Sequence, residues 1–245
     1  MKKMVIVTGM HRSGTSLCAG IINILGAEVG AVLPPAKGIN DKGYFEHKKI
    51  MRNNQYLLES INMSWDSVCK MPDDWDKKTL KYRNRAKELV LYLLKDNDFI
   101  CVKDPRICRL LPMWNDILND IGISFCIIFC VRHPYDVASS LKKRNNIAQK
   151  KSFDIWKTYN EDFLNNCNNI DCMFVDYNNL VEKNCVSVNR IIKHIDYEKI
   201  KKYGVVKKYI DSFASDDLRH HKTTKKINNK HIKKLYENLL GLCNP

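Results

Sequence analysis

Val5-Ile6-Val7-Thr8-Gly9-Met10-His11-Arg12-Ser13-Gly14-Thr15-Ser16 reads as a buried strand that runs into a tight turn and then a helix. The apolar run supplies the strand, and Gly9 and Gly14 allow backbone angles that other residues resist. A turn of this kind aims backbone N–H groups, together with the amino end of the following helix, at an anion. Arg12 adds a side-chain cation. The stretch is therefore expected to hold a phosphate-like group at the carboxyl end of a strand.

The loop resembles a nucleotide-binding P-loop with one change. Walker A loops run Gly-x4-Gly-Lys-Ser/Thr, with the lysine on the β/γ-phosphates and the hydroxyl on Mg²⁺; here the lysine position is Thr15 and the cation has moved to Arg12. Arg12-Ser13-Gly14-Thr15-Ser16 after an apolar strand resembles the 5′-phosphosulfate loop of sulfotransferases that use 3′-phosphoadenosine 5′-phosphosulfate (PAPS). Two further segments match that family in order. Lys103-Asp104-Pro105-Arg106 follows Phe99-Ile100-Cys101-Val102 and resembles the Lys-Asp-Pro element beside the transferred sulfuryl group. Arg132-His133-Pro134, with Ser140 eight positions after the arginine, resembles the family's 3′-phosphate site. An arginine fork and a hydroxyl on the first turns of a helix are able to converge on one phosphate.

The resemblance implies PAPS as co-substrate and a hydroxyl-bearing acceptor, with no metal. It assigns donor contacts to His11, Arg12, Ser13, Gly14, Thr15, Ser16, Arg132, Ser140 and Arg219. Arg12 is expected to serve the 5′-phosphosulfate, and Arg132 with Ser140 the 3′-phosphate, because they stand at two different strand ends. Lys42-Gly43-Tyr44-Phe45-Glu46-His47 resembles a Gly-aromatic-Phe-Glu element whose glutamate acts as general base, which makes Glu46 the first choice, with His47 and His11 as competitors. A glutamate at a helix start is also simply a favourable charge on the dipole. Lys103 is assigned to the charge that builds on the oxygen between phosphorus and sulfur as that bond breaks. The plainer reading makes Lys103 and Asp104 a surface ion pair, or Asp104 a Walker B carboxylate.

Composition bounds these readings. The 245 residues suit one α/β domain, 1–245, and no linker or internal repeat divides them. A formal net charge of +14 implies an anionic partner. Nucleic acid is not expected, because the charge is spread over many helices, with denser runs at 142–151 and 222–234, and forms no recognisable nucleic-acid module. The ten cysteines are scattered, several in apolar runs (Cys101, Cys126, Cys130), and read as reduced core residues. Neither Cys126/Cys130 nor Cys167/Cys172 has the spacing of a zinc site. The apolar start is interrupted at His11-Arg12, and 17–35 contains Glu28 and ends in Pro34-Pro35, so neither a signal peptide nor a membrane span is expected and the protein reads as cytoplasmic.

Alternating apolar runs predict a parallel sheet covered by helices on both faces. Strands are expected near 4–8, 98–103, 123–131 and 171–175. Helices are expected near 14–26, 46–62, 78–95, 106–120, 134–145, 152–168, 177–194 and 228–240. Ligands of such sheets collect at the carboxyl ends of the strands, where Gly9 to Ser16, Lys103 and Arg132 all fall. The connection 27–46 is long for an αβ unit, and loops of that length are often functional.

Leu218-Arg219-His220-His221-Lys222 resembles a late Leu-Arg-His segment of bacterial relatives, and reads either as a loop that closes over the nucleotide or as an exposed basic turn. Tyr177-Asn178-Asn179-Leu180 sits where many relatives have Tyr-Glu-x-Leu. The dimer motif Lys-x3-Thr-Val-x3-Glu is absent, so no oligomeric state follows. Trp65 and Trp75, with Tyr44 and Phe45, are either core or platforms for a sugar or phenol ring. Family analogy leans toward a carbohydrate or glycan hydroxyl as acceptor. The rival readings are a P-loop nucleoside or sugar kinase and a non-catalytic nucleotide- or RNA-binding protein.

Overall fold

The four apolar runs become four parallel strands within one residue of the expected bounds: β1 (Lys3–Thr8), β2 (Phe99–Lys103), β3 (Ser124–Val131) and β4 (Cys172–Asp176). The structure is a computed structural model and describes residues 2–32, 43–73, 76–181, 186–198 and 225–244. Helices follow as α1 (Thr15–Ile24), α2 (Lys48–Ser60), α3 (Asp76–Asp96), α4 (Ile107–Ile121), α5 (Pro134–Asn145), α6 (Gln149–Asn166), α7 (Tyr177–Val181), α8 (Val186–Ile195) and α9 (Lys230–Cys243). Of the helix expected over 177–194 the described residues form α7 and α8, and 182–185 between them lie outside the described residues.

The strands order as β2-β1-β3-β4. β1 lies between β2 and β3, with Ile6 opposite both Val102 and Ile127. Strand residues alternate between two cores, as the pleat requires. Met4, Ile6, Val102, Ile127 and Phe129 pack with Leu57, Val90, Trp114 and Trp156 from α2, α3, α4 and α6. Val5, Val7, Cys101, Cys126 and Cys130 pack with Leu17 and Ile21 of α1 and Val188 and Ile191 of α8. Burial on both faces is why these strands read as unbroken apolar runs instead of alternating ones, and it makes Cys101, Cys126 and Cys130 buried free thiols.

The chain leaves β1 toward β2 on one side and later returns to β3 on the other. A crevice opens where successive connections diverge in this way, at the carboxyl ends of the central strands. Two histidines fix the helices that border it. His47 Nδ1 accepts from Ile50 N at 3.3 Å at the start of α2, and His133 Nδ1 accepts from Tyr135 N at 3.3 Å, with Pro134 opening α5. Of the long 27–46 connection the described ends meet: Ala31 O accepts from Lys48 N at 2.8 Å, and Val32 bridges to His47. No described helix is long and apolar enough to cross a membrane.

Candidate active site

Close approach of backbone shapes the loop after β1. Gly9 has φ 137, and a Cβ there would lie 2.4 Å from the Cys130 carbonyl oxygen of β3; only glycine lets the turn lie this near the neighbouring strand. Gly14 (φ 91) leaves the space that the Tyr177 ring fills, 2.4 Å from where its Cβ would be. Ser13 N donates to Met10 O at 3.1 Å to close the turn, and no side chain caps the start of α1. Arg12 has a left-handed φ of 70, and Phe45, just before Glu46, one of 52. Such angles in large side chains cost on the order of 1–3 kcal/mol each and persist where the surrounding structure imposes them.

The Arg12 side chain does not stay on its own side of the crevice. Its Nε donates to Ser140 Oγ on α5 at 2.8 Å, while Arg132 Nη1 donates to Arg12 O at 2.9 Å. Arg132 also lies 4.0 Å over the Tyr177 ring. The expectation that Arg12 and Arg132 stand apart is thus corrected: both arginines and Ser140 form one cluster, because β1 and β3 are adjacent strands whose loops meet. Burial first, and then the neighbouring Arg144 and Arg132 charges, pull Arg12 down to about 10. Several guanidinium groups crowded in this way leave the crevice short of negative charge.

Across the crevice, Lys103 at the end of β2 is buried. Its Nζ donates to Glu46 Oε1 at 2.6 Å and to Ser16 Oγ at 3.3 Å. The surface reading of Lys103 and Asp104 is overturned, since both are buried and neither pairs with the other. Asp104, fully buried, accepts from Arg106 N and Nη1, both at 2.9 Å on Oδ1, and from Asn54 Nδ2 at 3.0 Å on Oδ2. Trp114 Nε1 in turn donates to Asn54 Oδ1 at 3.3 Å. The carboxylate holds the turn after β2.

Between these walls lies a solvent-open cavity of roughly 630 Å³, lined by Arg12, Thr15, Glu46, Lys103, Arg132 and Tyr177 among others. Among the described residues, two that line it carry buried polar atoms without a hydrogen-bond partner, His11 Nε2 and Arg132 Nε. Groups of this kind cost free energy unless a partner arrives, and clustered at one crevice they point to a polar ligand.

By sequence the chain matches no family model and no curated protein. Solved structures do match. The sulfotransferase domain from the Synechococcus PCC 7002 olefin synthase superposes with a TM-score of 0.56 at 15% identity, over 98% of this chain and 94% of that one. The sulfotransferase domain from the curacin biosynthetic pathway superposes with a TM-score of 0.54 at 11% identity, over 98% of both chains. The fold is that of the sulfotransferases.

Within this sulfotransferase fold the residues picked from sequence at three separate strand ends, the Arg12 to Ser16 loop, Lys103 and Arg132 with Ser140, converge on one crevice, and Glu46 joins them from the segment before α2. Arg219, the Leu218 to Lys222 loop and Trp75 lie outside the described residues. His47 is taken up as the cap of α2 and packs beside Gly30. His11 stands in an aromatic corner, 4.7 Å from the Trp65 ring and 5.5 Å from Tyr159. Sequence reasoning missed Arg144, Arg106 and Tyr177 as wall residues. Arg144 is the last basic residue of α5, one turn beyond Ser140, and only the direction of α5 across the crevice marks it. Among the described residues the one set of metal-ligand types that comes together, Cys126, Asp171 and His194 within 4.8 Å of one another, sits at the opposite edge of the sheet.

Burial is the first cause that holds His11, His47, His133 and His194 below the ordinary imidazole value of 6.5; the cations Arg106, Arg144, Lys103 and Arg12 push His11 down further. With folded values depressed, the unfolded chain binds protons that the folded chain refuses. Stability from these neutral rings is whole above about pH 6.5 and is lost as the pH falls through their folded values. The urea midpoint is expected to drop between about pH 7.5 and about pH 5.5, and less so in His11→Gln. An unchanged midpoint would mean that the rings take up protons equally in the folded and the unfolded chain.

Proposed function

We propose that the protein is a PAPS-dependent sulfotransferase acting on a hydroxyl, first of all that of a carbohydrate or glycan acceptor. The observation that carries this reading is the cation set of the crevice: Arg12, Arg132 and Ser140 form one cluster, and the Lys103–Glu46 pair stands within reach of the same loop. In this reading the loop N–H groups and the α1 amino end hold the 5′-phosphosulfate, and the Arg12, Arg132 and Ser140 cluster holds the 3′-phosphate. Arg12 thereby moves from the 5′ to the 3′ side of the donor.

Glu46 takes the proton of the acceptor hydroxyl as its oxygen attacks sulfur. One S–O bond forms, the S–O bond to the bridging oxygen breaks, and that oxygen leaves on the 5′-phosphate of 3′-phosphoadenosine 5′-phosphate (PAP). Lys103 Nζ, at 3.3 Å from Ser16 Oγ, meets the charge that appears on the leaving oxygen.

The kinase alternative fares worse on electrostatic grounds. In a Walker loop the hydroxyl at the Ser16 position binds Mg²⁺. Here that hydroxyl faces an ammonium group, which repels a divalent cation, and the Asp104 carboxylate that would serve as the second ligand is occupied. Thermal unfolding separates the readings. PAP at about a hundred times its dissociation constant should stabilise the fold by about 2.7 kcal/mol, a rise of several degrees, while ATP with Mg²⁺ and RNA should give little. A shift with ATP and Mg²⁺ but not with PAP would establish the kinase, and one with RNA alone the binding protein.

A further inference from the structure

A second cavity, of about 520 Å³, opens beside the first and shares His11, Tyr44, Glu46 and Arg144 with it. Its own walls are Trp65, Met51 and Arg106. The two spaces therefore meet at Glu46, the residue placed to take a proton. With the donor in the first cavity, as the proposed function has it, the second is where an acceptor stands, and its chemistry tells what that acceptor carries.

The charges of the walls do not balance. Five cations border the joined crevice: Arg12, Lys103, Arg106, Arg132 and Arg144. Two carboxylates answer them, Glu46 on Lys103 and Asp104 on Arg106. Arg132 is committed to the Arg12 carbonyl oxygen and Arg12 to Ser140 Oγ. Arg144 is left over. Its guanidinium lies 5.8 Å over the Trp65 ring and its Nε donates to Asn145 Oδ1 at 2.6 Å; among the described residues no carboxylate pairs with it. Half-buried arginines without a counter-ion are costly, and the planar fork is suited to a carboxylate, phosphate or sulfate. Burial, ahead of every other influence, lowers the Arg144 value, which agrees with a guanidinium held out of water and wanting an anion.

We infer that the acceptor carries an anionic group, a carboxylate, phosphate or sulfate, near the hydroxyl to be sulfated, and that Arg144 binds it while the Trp65 face supports the adjoining ring. The inference names the substrate class of the proposed reaction and rests on that reading. It accounts for a basic residue that borders both cavities, lies over the Trp65 face of the second and has no carboxylate partner among the described residues. The hydroxyl would face Glu46 and the anion would lie toward α5.

The test keeps the two readings apart. PAP affinity is measured first by calorimetry; with PAP saturating, methyl glucuronide and methyl glucoside are titrated, and likewise 4-hydroxyphenylacetate and its amide, each pair differing in one charge. The acids are expected to bind roughly tenfold or more tightly than their neutral partners, the scale of one charge-assisted contact. With each variant saturated with PAP at its own measured affinity, Arg144→Ala should erase the difference and Arg144→Lys should restore part of it. Equal binding of acid and neutral partner, no binding of either in a protein that takes PAP, or a preference that survives Arg144→Ala each overturns the inference. A protein that does not take PAP fails the donor reading itself, and the inference falls with it.

Discussion

Lys103→Ala and Glu46→Gln are each expected to slow sulfuryl transfer roughly a hundredfold or more while changing PAP affinity much less. The two side chains meet at 2.6 Å in a nearly dry position, so in the resting protein each already has its partner. What they add comes in the transition state, when Glu46 gains a proton and Lys103 turns to the charge on the leaving oxygen. Taking away one member of a buried pair also costs stability, so the rates must be compared well below the melting point of each variant. Turnover of radiolabelled PAPS with a competent acceptor, set beside calorimetric PAP affinity, decides the matter. If Glu46→Gln turns over at a near-normal rate the base lies elsewhere. His11, whose Nε2 has no partner among the described residues, is then the next candidate, ahead of His47, whose Nδ1 accepts from Ile50 N at the start of α2. If Lys103→Ala abolishes PAP affinity instead, Lys103 is a binding group and its assignment to the leaving oxygen is wrong.

Asp104→Ala should be among the most destabilising single changes in the chain. The carboxylate accepts three hydrogen bonds with no exposure to water. Burial is the largest single influence on Arg106 and works to lower its value, yet the Asp104 charge and hydrogen bond, together with the Tyr159 and Glu46 charges, outweigh it and the net shift is upward. Deleting the acid strands that guanidinium and the Asn54 amide together. Loss of one partner from a buried pair costs about 3–5 kcal/mol, a large fraction of the roughly 5–15 kcal/mol that holds a typical domain folded. Asp104→Asn, which keeps an acceptor oxygen, should cost less. Urea unfolding followed by circular dichroism measures both, and a loss under about 1 kcal/mol for Asp104→Ala would show that the turn after β2 is held by something else.

The legible part of this fold was the part written in local pattern. Each strand is a short run buried on both faces, and a run such as Ile100-Cys101-Val102 before a charged turn has few other ways to satisfy both its apolar side chains and its backbone. The glycines at 9 and 14 were legible for the same reason, since a strand that must turn at once into a helix needs positive φ there. Helix bounds were less so. Over the stretch expected as one helix at 177–194 the described residues form α7 and α8, with 182–185 between them outside the described residues, and α6 begins at Gln149, three residues before its expected start.

The site divided along the same line. Motif and spacing placed Arg12, Lys103 and Arg132 at the carboxyl ends of three strands, and Glu46 before a helix, because those positions follow from where strands stop. That Arg12 would reach over to Ser140, that Lys103 would pair with Glu46 while Asp104 pairs with Arg106, and that Arg144 would overlook Glu46 and Trp65 from the far end of α5 had no local signature. The sequence determined which chemical groups stand at the sheet edge. Their partners were decided only when β1 came to lie between β2 and β3 and brought loops about 30 to 120 residues apart within hydrogen-bonding range, because a side chain's charge is local to its own residue while the group that answers it is chosen by packing across the sheet.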